Sequence, residues 1–161
     1  MAEDFDGDDL VGEEDEDVSA LLDNRSERLD LKTHNMIDQN LCGVVEDLQD
    51  GYAKVRLVTT EDMAVDKKGL VHTGFVFSAA NFAAMAAVNK PNVVLAVARC
   101  NFLAPLKVED EVVFEANALQ TTTRKRNIMV VGTMSDVKVF EGEFAAVVLE
   151  KHVLSLHLMS E

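Results

Sequence analysis

The chain has no tryptophan, one tyrosine, two prolines and two cysteines among its 161 residues. Cys42 and Cys100 lie too far apart in sequence to suggest a disulfide framework or a metal-ligand spacing, so reduced thiols in a cytoplasmic protein are expected. His34, His152 and His157 have no metal-ligand spacing with any cysteine or acid cluster, and no metal is expected. Ser78 has no neighbouring His–Asp set, which removes a serine hydrolase. The longest apolar stretch falls inside residues 66–88 and is shorter than the run of about 20 residues that a membrane span needs. Residues 1–17 contain no base at all, only ten acids. An N-terminus of that sign is not a signal peptide. The overall formal charge of −14 repels phosphate backbones, so nucleic acid is not an expected partner.

The acids are unevenly placed. Residues 18–161 carry 19 acids and 15 bases, a net charge of −4. Residues 1–17 are therefore expected to be a disordered acidic tail, too charged and too poor in apolar side chains to fold alone. Residues 18–37 read as a linker, with a short amphipathic helix over Ser19–Leu31 as a candidate. The folded domain is expected over 38–161.

The domain is organised around one segment, DKKGLVHTGFVFSAANFAAMAAV over 66–88. His72 opens an alanine-rich run that is apolar nearly all the way round, the pattern of a helix buried on every side. Only Ser78, Asn81 and the opening His72–Thr73 interrupt it. Amide groups at the start of such a helix are free to meet a carbonyl or an anion. Two strands are expected before it, Gly43–Leu48 and Tyr52–Thr59, joined by an Asp50–Gly51 turn. Four are expected after Pro91: Val93–Leu103, Glu111–Gln120, Asn127–Ser135 and Val137–Leu149. Pro105 marks the break after the first of these four. Thr122–Lys125 and Ser135–Asp136 read as turns. The predicted class is α+β: a curved antiparallel sheet of about six strands wrapped around one long buried helix.

Three motifs then carry a resemblance. Asp66-x-x-Gly69-x-x-His72-x-Gly74 resembles the Asn-x-x-Gly-x-x-His-Gly-Gly signature of small acyl-CoA thioesterases. The stretch from Asn101 through Pro105 to Glu109–Asp110 resembles the strand-end motif of the same superfamily, and Val139–Phe144 resembles its last strand. The chain is thus similar, over about 38–152, to the hotdog-fold thioesterase superfamily. That resemblance implies at least a homodimer, with the strands near Val93–Leu103 pairing across a twofold axis. It also implies a tunnel for an acyl-CoA or acyl-carrier thioester at the subunit interface. His72, Thr73, Gly74, Phe75, Ser78 and Asn81 are the implied ligand-binding residues, and no cofactor is required. Arg124, Lys125 and Arg126 are candidates for the coenzyme A phosphates, because phosphate oxygens accept charge-assisted hydrogen bonds. Lys90 and Arg99 are weaker candidates.

The resemblance departs at the chemistry. Matching thioesterases place an acid nine positions after the histidine, and here that position is Asn81. A carboxamide has no proton to exchange near neutral pH. Thr73 also replaces the first glycine of the pair. The segment Phe75–Asn81 instead resembles the non-catalytic acyl-CoA-sensing domain of a bacterial lipid-synthesis repressor. The overall look is similar to the flagella-co-expressed hotdog virulence factors of epsilonproteobacteria. Non-catalytic acyl-CoA binding with a regulatory or virulence-associated role is therefore expected. The alternative is an acyl-CoA thioesterase in which the Gly74 N–H polarises the carbonyl and Asp66, or a water held by Asn81, completes the attack. A third reading is an interaction protein whose acidic tail docks a basic partner.

Overall fold

A computed structural model describes residues 28–119 and 123–156. The acidic tail, most of the Ser19–Leu31 segment, and Gln120 and Thr122 lie outside the described residues. The elements run α1 (Gln39–Cys42), β1 (Val44–Gln49), β2 (Tyr52–Val58), α2 (Thr73–Val88), β3 (Val93–Phe102), β4 (Glu111–Ala118), β5 (Lys125–Met134) and β6 (Val137–Val148). Short 3₁₀ turns occur at Glu61–Met63 and Val153–Ser155. The six strands form one antiparallel sheet in the order β1-β2-β4-β5-β6-β3. The sheet packs around α2, which gives the expected hotdog architecture.

Alternation in the strands decides which face meets the helix. Val112, Phe114 and Ala116 of β4 are buried, as are Ile128 and Val130 of β5 and Phe140, Phe144 and Ala146 of β6. Ten of the sixteen residues of α2 are buried against them. Register irregularities at Val45/Asp47, Leu95/Val97 and Gly132/Thr133 bend the sheet, because an extra residue on one strand increases its local twist. Gly132 pairs with Phe114 on one side and Phe140 on the other. Its missing side chain lets those rings meet edge to face, with centroids 5.8 Å apart.

The strands differ from expectation mainly at their ends. β5 starts at Lys125, two residues before the expected Asn127. Lys125 and Arg126 are therefore paired with Val147 and Ala146 of β6 instead of forming a turn. The Ser135–Asp136 turn stands as expected, with φ of 47° and 64°, the left-handed pair that two-residue hairpins use. Helix α1 was not foreseen; Asp38 caps it by accepting from the Asn40 N–H at 2.9 Å.

Residues 28–37 cross the bottom of the domain as a strap. Residues 28–31, the described end of the proposed N-terminal helix, lie outside any helix. The Leu29 N–H donates to the Leu48 carbonyl at 3.0 Å. Asn89 ends α2 in a left-handed conformation with φ 50°. Its side chain accepts from the Lys32 N–H at 2.7 Å and donates to the Asp30 carbonyl at 2.9 Å. One residue thus stops the helix and pins the strap. Farther along, the Thr33 hydroxyl hydrogen-bonds His34 Nδ1 at 2.7 Å. The His34 ring lies over Phe82, with centroids 6.3 Å apart and planes 24° apart.

Two predictions follow from this packing. A Cβ on residue 132 would lie 2.9 Å from a Phe114 ring carbon and 3.0 Å from the Phe140 Cβ. Overpacking costs about 1–3 kcal/mol, so Gly132→Ala should lower Tm by about 3–10 °C in thermal unfolding. An unchanged Tm would show that the rings can move apart freely. The second prediction concerns acid sensitivity. Burial lowers the pKa of His34 below the usual 6.5, so the folded state holds the neutral ring. The stabilisation is present above pH 6.5 and is lost as pH falls from there through the lowered folded value, because the unfolded chain takes up the proton first. Between pH 7.5 and 5.5 the wild-type Tm should therefore fall more than that of His34→Gln. Parallel slopes would remove His34 from the account.

Candidate functional site

Helix α2 starts at the end of a small hairpin. Ala64 bridges Val71, and the Val65 N–H donates to the Leu70 carbonyl at 2.8 Å. The His72 N–H donates to the Met63 carbonyl at 2.8 Å, which fixes where the chain turns into the helix. Asp66 sits at the exposed hairpin tip. Its Oδ1 accepts from the Lys68 N–H at 2.9 Å and the Leu70 N–H at 3.3 Å. Asp66 thus holds its own loop together, and it lines a concavity of about 300 Å³ with Glu61, Gly69 and Val108 rather than with helix residues.

His72 is the N-cap of α2, and its side chain makes no capping hydrogen bond. The imidazole instead folds back over the first turn. A Cβ on residue 74 would lie 2.7 Å from His72 Nε2, so Gly74 is what lets the ring rest there. The same ring meets Phe75 edge-on, with centroids 5.9 Å apart. Thr73 is the first helical residue and is exposed. The Phe75 N–H uses the His72 carbonyl at 3.1 Å. The Thr73 and Gly74 N–H groups belong to the first turn, which the helix cannot supply with its own carbonyls.

Gly74, Phe77, Ser78 and Asn81 fall on one stripe, at helical spacings of three, four and seven. From Val76 onward the helix is buried except at Phe77, Ser78 and Asn81, which remain only partly covered. Phe77 stacks on Phe144 at 5.9 Å and so leans toward β6 and β3. Ser78 donates to Cys42 Sγ at 3.3 Å, across the contact with α1. Among the described residues, Asn81 Oδ1 is the one buried side-chain oxygen with no hydrogen-bond partner. Buried polar atoms are nearly always paired, so this atom marks a place where a partner is owed.

β3 is the last strand of the sheet and forms its edge. Val97 and Phe102 on this edge strand are 51% and 44% exposed. Phe102 meets Phe140 edge to face at 5.4 Å, carrying the aromatic core out to the edge. Burial raises the pKa of the Cys100 thiol, which lies on the same strand. A concavity of about 580 Å³ lies on the other face of the sheet, between β3, β5 and β6, where Glu141 and Glu143 alternate with buried neighbours. No group of three His, Cys, Asp or Glu able to hold a metal ion occurs among the described residues. No described helix is long and apolar enough to cross a membrane.

The basic cluster lies elsewhere. Arg124 forms an ion pair with Glu150 at 2.9 Å, and its carbonyl accepts from the Val148 N–H at 2.8 Å. Arg126 shares a concavity of about 150 Å³ with Lys90 and with Ala87 and Val88 of the helix C-terminus. Within one chain the cluster is therefore at the opposite end of α2 from His72. The structure gathers His72, Gly74, Phe75, Ser78 and Asn81, and it separates Arg124, Lys125 and Arg126 from them. Sequence reasoning missed Cys42 and His34. Both reach the helix by tertiary contact alone, and nothing in the local pattern announces either.

Comparison with known proteins agrees with this geometry. The family model described as the thioesterase superfamily matches residues 68–132. A methylthioribose-1-phosphate isomerase of Aquifex aeolicus is 48% identical over 121 residues, 75% of this chain; the chain spans only 26% of that relative's length. The transcription factor FapR of Caldanaerobacter subterraneus subsp. tengcongensis is 26% identical over 139 residues, 86% of this chain and 70% of the relative. The structure of PH1136 from Pyrococcus horikoshii superposes with a TM-score of 0.77 at 42% identity, covering 79% of this chain and 98% of that one. Cj0977, a sigma28-regulated virulence protein of Campylobacter jejuni, superposes with a TM-score of 0.76 at 37% identity, covering 77% of this chain and 88% of that one. The chain belongs to the thioesterase superfamily and carries its hotdog fold.

Proposed function

We propose that this chain binds an acyl-CoA, or a related acyl thioester, without hydrolysing it, in a tunnel completed by a second copy of the chain. The observation that carries the reading is Asn81. Its Oδ1 is buried without a hydrogen-bond partner on the stripe of α2, at the position where the thioesterases it resembles carry an acid. An amide there can hold a ligand by hydrogen bonds and cannot take up or release a proton. In this reading the Thr73 and Gly74 N–H groups donate to the thioester carbonyl, and Phe75, Phe77 and Phe102 supply apolar wall. No cofactor is needed for binding of this kind. The role we propose is regulation or virulence, in line with the names of FapR, a transcription factor, and Cj0977, a virulence protein; a cytoplasmic location is part of the same proposal.

A dimer is part of the proposal. The open edge of β3 offers unpaired backbone groups beside exposed apolar side chains, and such edges seek a partner strand. Antiparallel pairing of β3 with its copy sets the Val93 end of one chain beside the Phe102 end of the other. The Arg124–Arg126 cluster, at the Val93 end, then comes near the partner's helix start, where coenzyme phosphates need cations.

Three measurements test this reading. Sedimentation at micromolar concentration should give a dimer; a monomer overturns the shared tunnel. Native mass spectrometry of the purified chain, with or without added acyl-CoA, should show the bound thioester intact. No complex with any acyl chain length would overturn the binding reading. Wild-type hydrolysis should be slight, and Asn81→Asp should raise it, since a positioned acid–base group contributes roughly 100- to 10,000-fold. Robust wild-type turnover that vanishes in Asp66→Asn would favour the thioesterase alternative instead.

A further inference from the structure

Asn81 Oδ1 is covered as well as unpaired. Neither water nor a ligand touches an oxygen in that state, so a partner is admitted only when something over it moves. Its surroundings differ in how firmly they are held. On one side Phe77 stacks on Phe144 at 5.9 Å, and Phe144 stands in β6, which is laddered to both β3 and β5. On the other side the chain over residues 34–42 runs along α2. The His34 ring lies over Phe82, and Cys42 meets Ser78. Asn81 falls between those two helix positions, so the segment passes the turn that carries it.

Residues 35–42 are the loosely held part. None of them is buried, and Met36 is 99% exposed. Ile37, Leu41 and Cys42 are only half-buried against the core. The hydrogen bonds of α1 are local: Asp38 accepts from the Asn40, Leu41 and Cys42 N–H groups, and the Gln39 carbonyl accepts from Gly43. Among the described residues, the one hydrogen bond joining 35–42 to anything beyond its own ends is that of Ser78 with Cys42 Sγ at 3.3 Å, and sulfur is a weak acceptor. Segments with so few buried contacts open locally without unfolding the rest. Both ends, by contrast, are fixed. Thr33 is buried and bonded to His34, whose ring is stacked on Phe82. At the other end a Cβ on residue 43 would lie 2.8 Å from the Arg56 carbonyl oxygen, so Gly43 is seated against β2. His34 and Gly43 are also left-handed, with φ of 58° and 89°. Residues at the ends of an element are where a hinge absorbs rotation.

We propose that residues 35–42 are a lid on α2, hinged at His34 and Gly43, which swings off Ser78 to give the ligand access to Asn81. What then meets Asn81 Oδ1 is an N–H or O–H donor of that ligand. The motion stands on the packing alone; admission of an acyl thioester rests on the function proposed above. Two measurements on the full chain test the two parts. The first is the rate at which N-ethylmaleimide labels Cys42 under native conditions, read by peptide mass spectrometry. Ser78→Ala removes the one tie and should speed labelling of Cys42 about 2- to 10-fold, as loss of one hydrogen bond of ordinary net strength implies, with Cys100 unchanged. An unchanged rate at Cys42, or an equal rise at Cys100, overturns the lid. The second uses Ser78→Cys, which sets a thiol against Cys42. Oxidation should join the two and hold the lid shut; if no bond forms between them, the closed contact is not the resting state and the lid fails. Octanoyl-CoA should bind the reduced form at least tenfold more tightly than the oxidised form of this same variant. Equal affinity overturns gating. If neither this variant nor the wild type binds octanoyl-CoA or any other acyl chain length, the proposed function fails, and the labelling rates still decide the lid.

Discussion

The rest of the structure depends on having to bury α2. Its sixteen residues include no charged side chain, and ten of them are fully buried. A helix that is apolar all round cannot lie on a sheet as an amphipathic helix does, with one face in water. It has to be wrapped. The sheet curves to do this, and the curvature is built from strand irregularities and from glycines that sit where aromatic rings need room. Alanine on the helix serves the same end: Ala79, Ala80, Ala83, Ala84, Ala86 and Ala87 are all buried, and their small size brings the sheet backbone close.

Wrapping is incomplete in one place. The first two turns of α2 keep a stripe that one sheet cannot reach, bounded by α1 on one side and by β6 and β3 on the other. Polar atoms on a buried helix occur only where they have a partner or await one. Ser78 has found Cys42, whereas Asn81 Oδ1 has not been met. The site is therefore defined by where burial stops as much as by the identity of its residues.

Much of the fold was legible because it follows from local pattern. The apolar run of α2, the alternation in β4 and β6 and the turn at Ser135–Asp136 are all set by residues close in sequence. The misplaced start of β5 has a physical reason. Three consecutive bases look like an exposed turn, but β6 extends past them and its backbone pairs Lys125 and Arg126 into the ladder. The strap was not legible, because Asn89 holds residues 57 and 59 positions away. The contact of Ser78 with Cys42 spans 36 positions. Asn81 stood out only through resemblance; composition alone makes it one more core amide.

The separation of the two polar ends constrains any ligand-binding account. Neutral donors lie at the start of α2, and the Arg124–Arg126 cluster lies beyond its C-terminus. A ligand that used both ends of one chain would have to run along a helix that the sheet already covers. β3 is the edge of the sheet, and Phe102 and Val97 are exposed along it. In the proposed dimer the twofold axis reverses one chain against the other, so the donors of one copy and the cations of its partner fall on the same side of the interface.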